Sequence, residues 1–237
     1  MALENPDPTY GHQADRVQLL NELIADVRDE FGRNETDARH VNLNNIMMAT
    51  GAASATLRLL HWAKFSGGDV HLISALKLGD PKYINLVGEN MLRSSKLFLL
   101  LECQFQFEAL MRNVLLSLSD ERGPQGFYDL AGKVIALTQL PEPDEKLADM
   151  NVAALMRNSM HSNGMHYGYK GSSTVRVLNG VEFRFKNGAR VQCGHWVHVT
   201  TALTASLGVI RAILNAPVVR ALERVPDEYA MLRALAG

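Results

Sequence analysis

A chain of 237 residues, 47% apolar and 21% charged, is long enough to bury a substantial core and has the composition of an ordinary globular protein. Its 24 basic and 25 acidic residues leave a net charge of −1, which excludes nucleic-acid binding driven by global charge and leaves room only for a local patch. Two distant cysteines, Cys103 and Cys193, exclude a disulfide framework and a cysteine metal knuckle.

The opening stretch, MALENPDPTYGHQ, is polar and carries two prolines, unlike a signal peptide, and residues 1–12 read as a loose arm. The longest apolar run, near 97–101, is too short to span a bilayer. The expectation is therefore a cytoplasmic protein without membrane contact. From Asp15 onward, Val17, Leu20, Leu23, Ile24, Val27 and Phe31 recur at helical spacing and predict an amphipathic helix ending at Gly32. The polar stretch 33–45 reads as a connection. A second helix is expected at roughly 46–66, stopped by Gly67-Gly68, and a short third at 69–78, stopped by Gly79-Asp80-Pro81.

Residues 83–118 contain no proline and one glycine, Gly88, and predict one long helix or two abutting ones. Leu97, Leu100, Leu101 and Phe105 on it read as core, as do Met47, Met48, Met150, Met156 and Met160 elsewhere. A helix near 127–138 follows, then the break PEPDEK, then a helix over 143–161. Next the period changes to that of β-structure. TVRVL, VEFRF and ARVQC are separated by Asn179-Gly180 and Asn187-Gly188, and Asn-Gly is the dipeptide of tight hairpins. This predicts a three-stranded meander at 174–178, 181–186 and 189–193, with Val181, Phe183 and Phe185 on one buried face. A helix over 195–214, Pro217 and a last helix near 227–235 complete the chain. The expected fold is mainly α: a helical bundle with a small antiparallel three-stranded β-meander inserted before the penultimate helix. Its expected organisation is an N-terminal helical region at 1–80 and a bundle at 81–237 with the meander at 174–193, together one compact unit.

ALMRN occurs twice, at 109–113 and 154–158. The flanks share nothing, so this is not a structural repeat but two helices with similar faces, expected to be neighbours in one bundle. The helices over 83–118 and 143–161 both carry apolar faces and are joined by a medium-length connection holding another helix, so they should pack together. Only the second copy is followed by a histidine. Arg157 and His161 are four positions apart, and Asn158 and His161 three, so a helix puts all three side by side. Ser162-Asn163-Gly164 reads as the helix end, with Gly164 as a left-handed cap. An imidazole exchanges protons near neutral pH, and a guanidinium holds phosphate or an anionic transition state. The pair suits metal-free cleavage of RNA. The alternative is structural: both cations answer the negative end of the helix dipole.

The stretch MRNSMHSNG at 156–164 resembles the signature helix of HEPN-type domains, whose catalytic members carry Arg, a polar residue and a later His. The resemblance covers roughly 85–165 and the helix after the meander. It implies an α-helical bundle, frequent homodimerisation with paired sites, and metal-independent ribonuclease activity in toxin or antiviral systems, with a cognate antitoxin or partner protein. By position it makes Arg157, Asn158 and His161 the catalytic residues. It also points to an acidic or polar residue on an earlier helix, for which Glu102 and Glu108 are the candidates. Three residues separate Arg157 from His161, where the family usually has four to six.

His166, Tyr167, Tyr169 and Lys170 follow directly. Such rings stack on bases and the lysine contacts phosphate, which makes His166, Tyr167 and Lys170 substrate-binding candidates; the alternative is a Gly-rich linker with buried tyrosines. His195 and His198 lack acidic or thiol neighbours at ligand spacing, so no metal site and no cofactor is expected. GAASATLR at 51–58 lacks the lysine of a phosphate loop, and no Gly-x-Ser-x-Gly elbow occurs. The expected ligand is RNA or a nucleotide. The alternative function is a non-catalytic helical dimerisation or interaction module.

Overall fold

The computed structural model describes residues 10–32, 34–65, 69–75, 77, 82–119, 123–124 and 126–227. The fold is mainly α. The helices are α1 (Tyr10–Phe31), α2 (Ala38–Phe65), α3 (Asp69–Ala75), α4 (Lys82–Ser119), α5 (Phe127–Leu137), α6 (Pro143–His161), α7 (Trp196–Asn215) and α8 (Pro217–Arg220). Between α6 and α7 lie β1 (Met165–His166), a 3-10 turn at Tyr169–Gly171, β2 (Thr174–Leu178), β3 (Val181–Phe185) and β4 (Ala189–Arg190).

Helix α1 begins at Tyr10, inside the expected arm, and buries Val17, Leu20, Ile24, Val27 and Phe31, whereas Leu23 is exposed. It packs along α2, α2 packs on α4, and α4 touches α5, α6 and α7. Buried apolar residues from Ala14 to Val225 form one hydrophobic cluster. Helix α7 runs through it, touching α1, α4, α6 and the β2 and β3 strands. By length and composition α7 could cross a membrane, but 61% of its apolar window is buried inside the fold. Its apolarity is that of a central core helix.

The stretch 33–45 is not only a connection, because α2 starts at Ala38. Asp37 caps it, accepting the Arg39 backbone N–H at 2.8 Å. The Arg39 guanidinium clasps the same carboxylate at 2.6 and 2.8 Å, with both side chains buried. It also donates to the Leu222 and Glu223 carbonyls, while the Val225 N–H donates to Asp37 Oδ2 at 3.1 Å and the Ala38 N–H to the Val225 carbonyl at 2.8 Å. A polar sequence thus forms a buried turn of helix because its charges are satisfied internally.

The three-stranded meander is corrected to two separate two-stranded ribbons. β2 pairs antiparallel with β3 through Asn179-Gly180, both residues at positive φ as a tight hairpin turn requires. Val181, Phe183 and Phe185 face inward as expected, with both phenylalanines fully buried. The third strand does not add to β3. After Asn187-Gly188 the chain swings across, and β4 pairs with β1 in the register Met165 to Arg190 and His166 to Ala189. The diversion is fixed by Gly188 N–H donating to the His166 carbonyl, Gly168 N–H to Asn187 Oδ1, and Val191 N–H to the Gly164 carbonyl, at 2.8 to 3.0 Å. Phe105 and Met48 are exposed rather than core. Pro217 opens the four-residue α8 instead of only ending α7. The helix expected over 227–235 lies outside the described residues apart from Asp227.

Candidate functional site

Helix α6 has the bounds its sequence prescribes. Pro143 stands at its first turn with Asp144 and Glu145, whose charges suit a helix N-terminus, and His161 lies in the last turn. The C-terminal end is closed by Asn163 and Gly164, both at positive φ, with Gly164 N–H donating to the Ser159 carbonyl at 2.8 Å. Met150, Val152, Ala153, Ala154, Met156 and Ser159 are buried, which turns Arg157, Asn158 and His161 toward the rim.

The α4 and α6 helices are in contact, as expected. Glu108 on α4 joins the two ALMRN copies. Its Oε1 accepts from Arg112 Nη2 at 2.6 Å, and its Oε2 lies 3.7 Å from Arg157 Nη1. The Arg157 side chain is only 17% exposed, and its Nε and Nη2 both donate to Asn158 Oδ1 at 3.3 Å. A carboxylate on one side and an amide on the other hold the guanidinium in place. Glu108 divides its single negative charge between two guanidiniums and lies closer to Arg112, so it leaves Arg157 with positive charge to offer an anion. Asn158 and His161 are exposed, and His161 makes no side-chain hydrogen bond among the described residues.

Of the two acidic candidates, the structure brings only Glu108 to Arg157. Glu102 is six residues back and turned toward α2, where it accepts from Gln106 Nε2 at 2.7 Å; Gln106 in turn accepts from Asn45. His166 is removed from the surface set. It is 3% exposed and lies tilted against Phe185 at 5.5 Å between ring centroids, because alternation along β1 turns it inward. Tyr167 and Tyr169 are 68% and 82% exposed, which overturns the buried-tyrosine alternative. Lys170 is exposed, with its ammonium 5.3 Å from the centre of the Tyr169 ring. Arg112 is a member of the cluster that sequence reasoning missed, although the repeated ALMRN is the signal for it. Among the described residues no three His, Cys, Asp or Glu side chains gather to hold a metal ion.

Glu108→Gln should leave two guanidiniums near each other without their shared carboxylate. Because the group is partly exposed, the expected cost is about 1 kcal/mol, or roughly 2–4 °C in Tm. An unchanged melting curve would mean that the shared carboxylate adds nothing to α4–α6 packing.

No family model, curated protein or solved structure matches the chain.

Proposed function

We propose that this chain is an HEPN-like RNA-binding protein that cleaves RNA without a metal ion at the C-terminal end of α6. The observation that supports it is the fixed Arg157 guanidinium, held by Glu108 and Asn158, one helical turn from a solvent-facing imidazole at His161. In the proposed reaction His161 takes the proton of a ribose 2′-hydroxyl, and the 2′-oxygen attacks the adjacent phosphorus. Arg157 holds the non-bridging oxygens, whose negative charge grows in the transition state. The 5′-oxygen leaves and takes a proton from water, giving a 2′,3′-cyclic phosphate on one fragment and a 5′-hydroxyl on the other, and His161 gives its proton back to solvent. Asn158 orients the guanidinium. The proposal extends to a homodimer with two such sites and to a toxin or phage-defence setting with a partner protein.

The ends of the products test this route. RNA incubated with the protein and a chelator should yield fragments whose 5′-ends accept phosphate from a polynucleotide kinase without prior dephosphorylation. Fragments with 5′-phosphates, or activity abolished by the chelator, would contradict it.

One observation favours the alternative, a non-catalytic dimerisation or interaction module. Phe98 and Phe105 lie two turns apart on α4, and each is half exposed. In that case the purified protein turns over no RNA, and replacing both rings by serine changes only its oligomeric state.

A further inference from the structure

The two ribbons inserted between α6 and α7 carry a charge imbalance that their own contacts do not cancel. From His161 to Leu222 the sequence has one acidic residue, Glu182, and it is paired with Arg184 at 2.9 Å. Arg176 is held by Glu145 and Asp149 of α6. Lys170, Lys186 and Arg190 are exposed and make no ion pair among the described residues. Met165 and Arg190 stand opposite each other in the β1–β4 pair and share one face, and Tyr167, just beyond β1, is exposed. A Cβ added at Gly164 would meet Arg190 Cγ at 4.0 Å, so the aliphatic stem of that side chain lies against the turn that follows His161.

The aromatic residues beside these cations are presented by a built loop. Gly168 approaches Ser172 so closely that a Cβ would sit 2.0 Å from its carbonyl oxygen. Gly168 N–H donates to Asn187 Oδ1, and Asn187 N–H to Ser173 Oγ, each at 3.0 Å. Lys170 is held at a φ of +52°, a conformation costly for a side chain of this kind. The outcome of this bonding is that Tyr167 and Tyr169 stand in solvent rather than in the core. Lys170 covers one face of the Tyr169 ring, and the ring is still 82% exposed.

We propose that the exposed side chains of this insertion, Tyr167, Tyr169, Lys170, Lys186 and Arg190, bind an unpaired nucleic-acid strand and feed it past His161. Bases stack on the tyrosine rings, while the three cations neutralise backbone phosphates. A base with a free π-face and a flexible anionic backbone matches rings and cations interleaved on a ribbon; a rigid duplex offers phosphates but hides its base faces. The choice of ligand rests on the reading of the α6 site as an RNA site. Binding by the ribbon is nevertheless separate from cleavage, and the two are measured apart.

The test is fluorescence anisotropy with a labelled twelve-nucleotide single-stranded RNA of mixed sequence, the same RNA as a duplex, and anionic lipid vesicles as a second polyanion. His161→Ala protein is used so that the probe stays intact. The single strand should bind more tightly than the duplex. Tyr167→Ala and Tyr169→Ala should each weaken it about tenfold, whereas Tyr169→Phe, which keeps the ring, should not. Lys186→Glu with Arg190→Glu should flatten the dependence of log K on log salt by about 0.7 for each phosphate that is no longer neutralised. The proposal is overturned if the folded tyrosine variants bind the single strand as tightly as their parent, if the duplex binds equally well, or if only vesicles bind. Normal binding by the tyrosine variants with intact cleavage in the His161-containing protein would remove the ribbon and leave the α6 site. Ring-dependent binding with no cleavage would do the reverse.

Discussion

Asp37→Ala should lower stability by about 3–5 kcal/mol, which in a chain of this size takes roughly 10 °C off Tm. The substitution leaves the buried Arg39 guanidinium without its carboxylate, removes the cap of α2, and orphans the Val225 N–H. Asp37→Leu combined with Arg39→Met should recover part of the loss, because it removes both desolvated charges, but not the cap or the hold on residues 222–225. A Tm within about 2 °C of the parent for Asp37→Ala would contradict the structure here. The same groups set the response to acid. Burial alone would raise the Asp37 pKa, but hydrogen bonds from Arg39 and from the Val225 and Arg39 backbone outweigh it and hold it below the ordinary carboxylate value. Burial, with the nearby His195, pushes His198 down to about 4. For both groups the unfolded chain binds more protons, so stability rises with pH and is lost on acidification. The His198 contribution should fade between about pH 6.5 and 4, and that of Asp37 from about pH 4 downward. Thermal melts across that range, repeated on His198→Phe, separate the two phases.

Arg157→Ala should cut the rate of RNA cleavage by about 10²–10³, the usual scale for removing one donor to a charged transition state. Arg157→Lys should fail nearly as badly. The observed guanidinium uses different nitrogens for Glu108 and Asn158, and a single ammonium cannot keep that orientation while holding phosphate. The melting temperature serves as the control, since Arg157 contributes one 3.7 Å ion pair to folding and its loss should cost little. Full activity in the lysine variant would reduce Arg157 to a nonspecific positive charge.

Much of the site is legible in the sequence because it depends on local spacing. Arg157, Asn158 and His161 share a helix whose ends are written as Pro143 and Gly164, and short-range rules place all three at its rim. The HEPN resemblance points to Glu102 or Glu108 as the supporting acid without deciding between them, because that choice depends on the rotation of α4 against α6, which only packing fixes. The same limit explains the ribbons. Asn179-Gly180 and Asn187-Gly188 look alike as dipeptides, yet the second is captured by Gly168 and Ser173, which stand well upstream in the chain. Arg39 and Asn42 hide the start of α2 because they are polar residues in buried positions, and their partners are Asp37 and the Ala38 carbonyl close by or carbonyls near residue 222. His166 groups with the tyrosines by adjacency, although strand alternation sends neighbours to opposite faces.

Whether His161 performs proton transfer on RNA is decided by the single-turnover cleavage rate, measured in chelator on wild type and His161→Ala at equal folded concentration. The expected result is clear turnover by the wild type and a loss of about a hundredfold or more in the variant, with both proteins melting at the same temperature. A folded wild type that neither binds nor cleaves RNA, or a His161→Ala protein that cleaves at the wild-type rate, would contradict it.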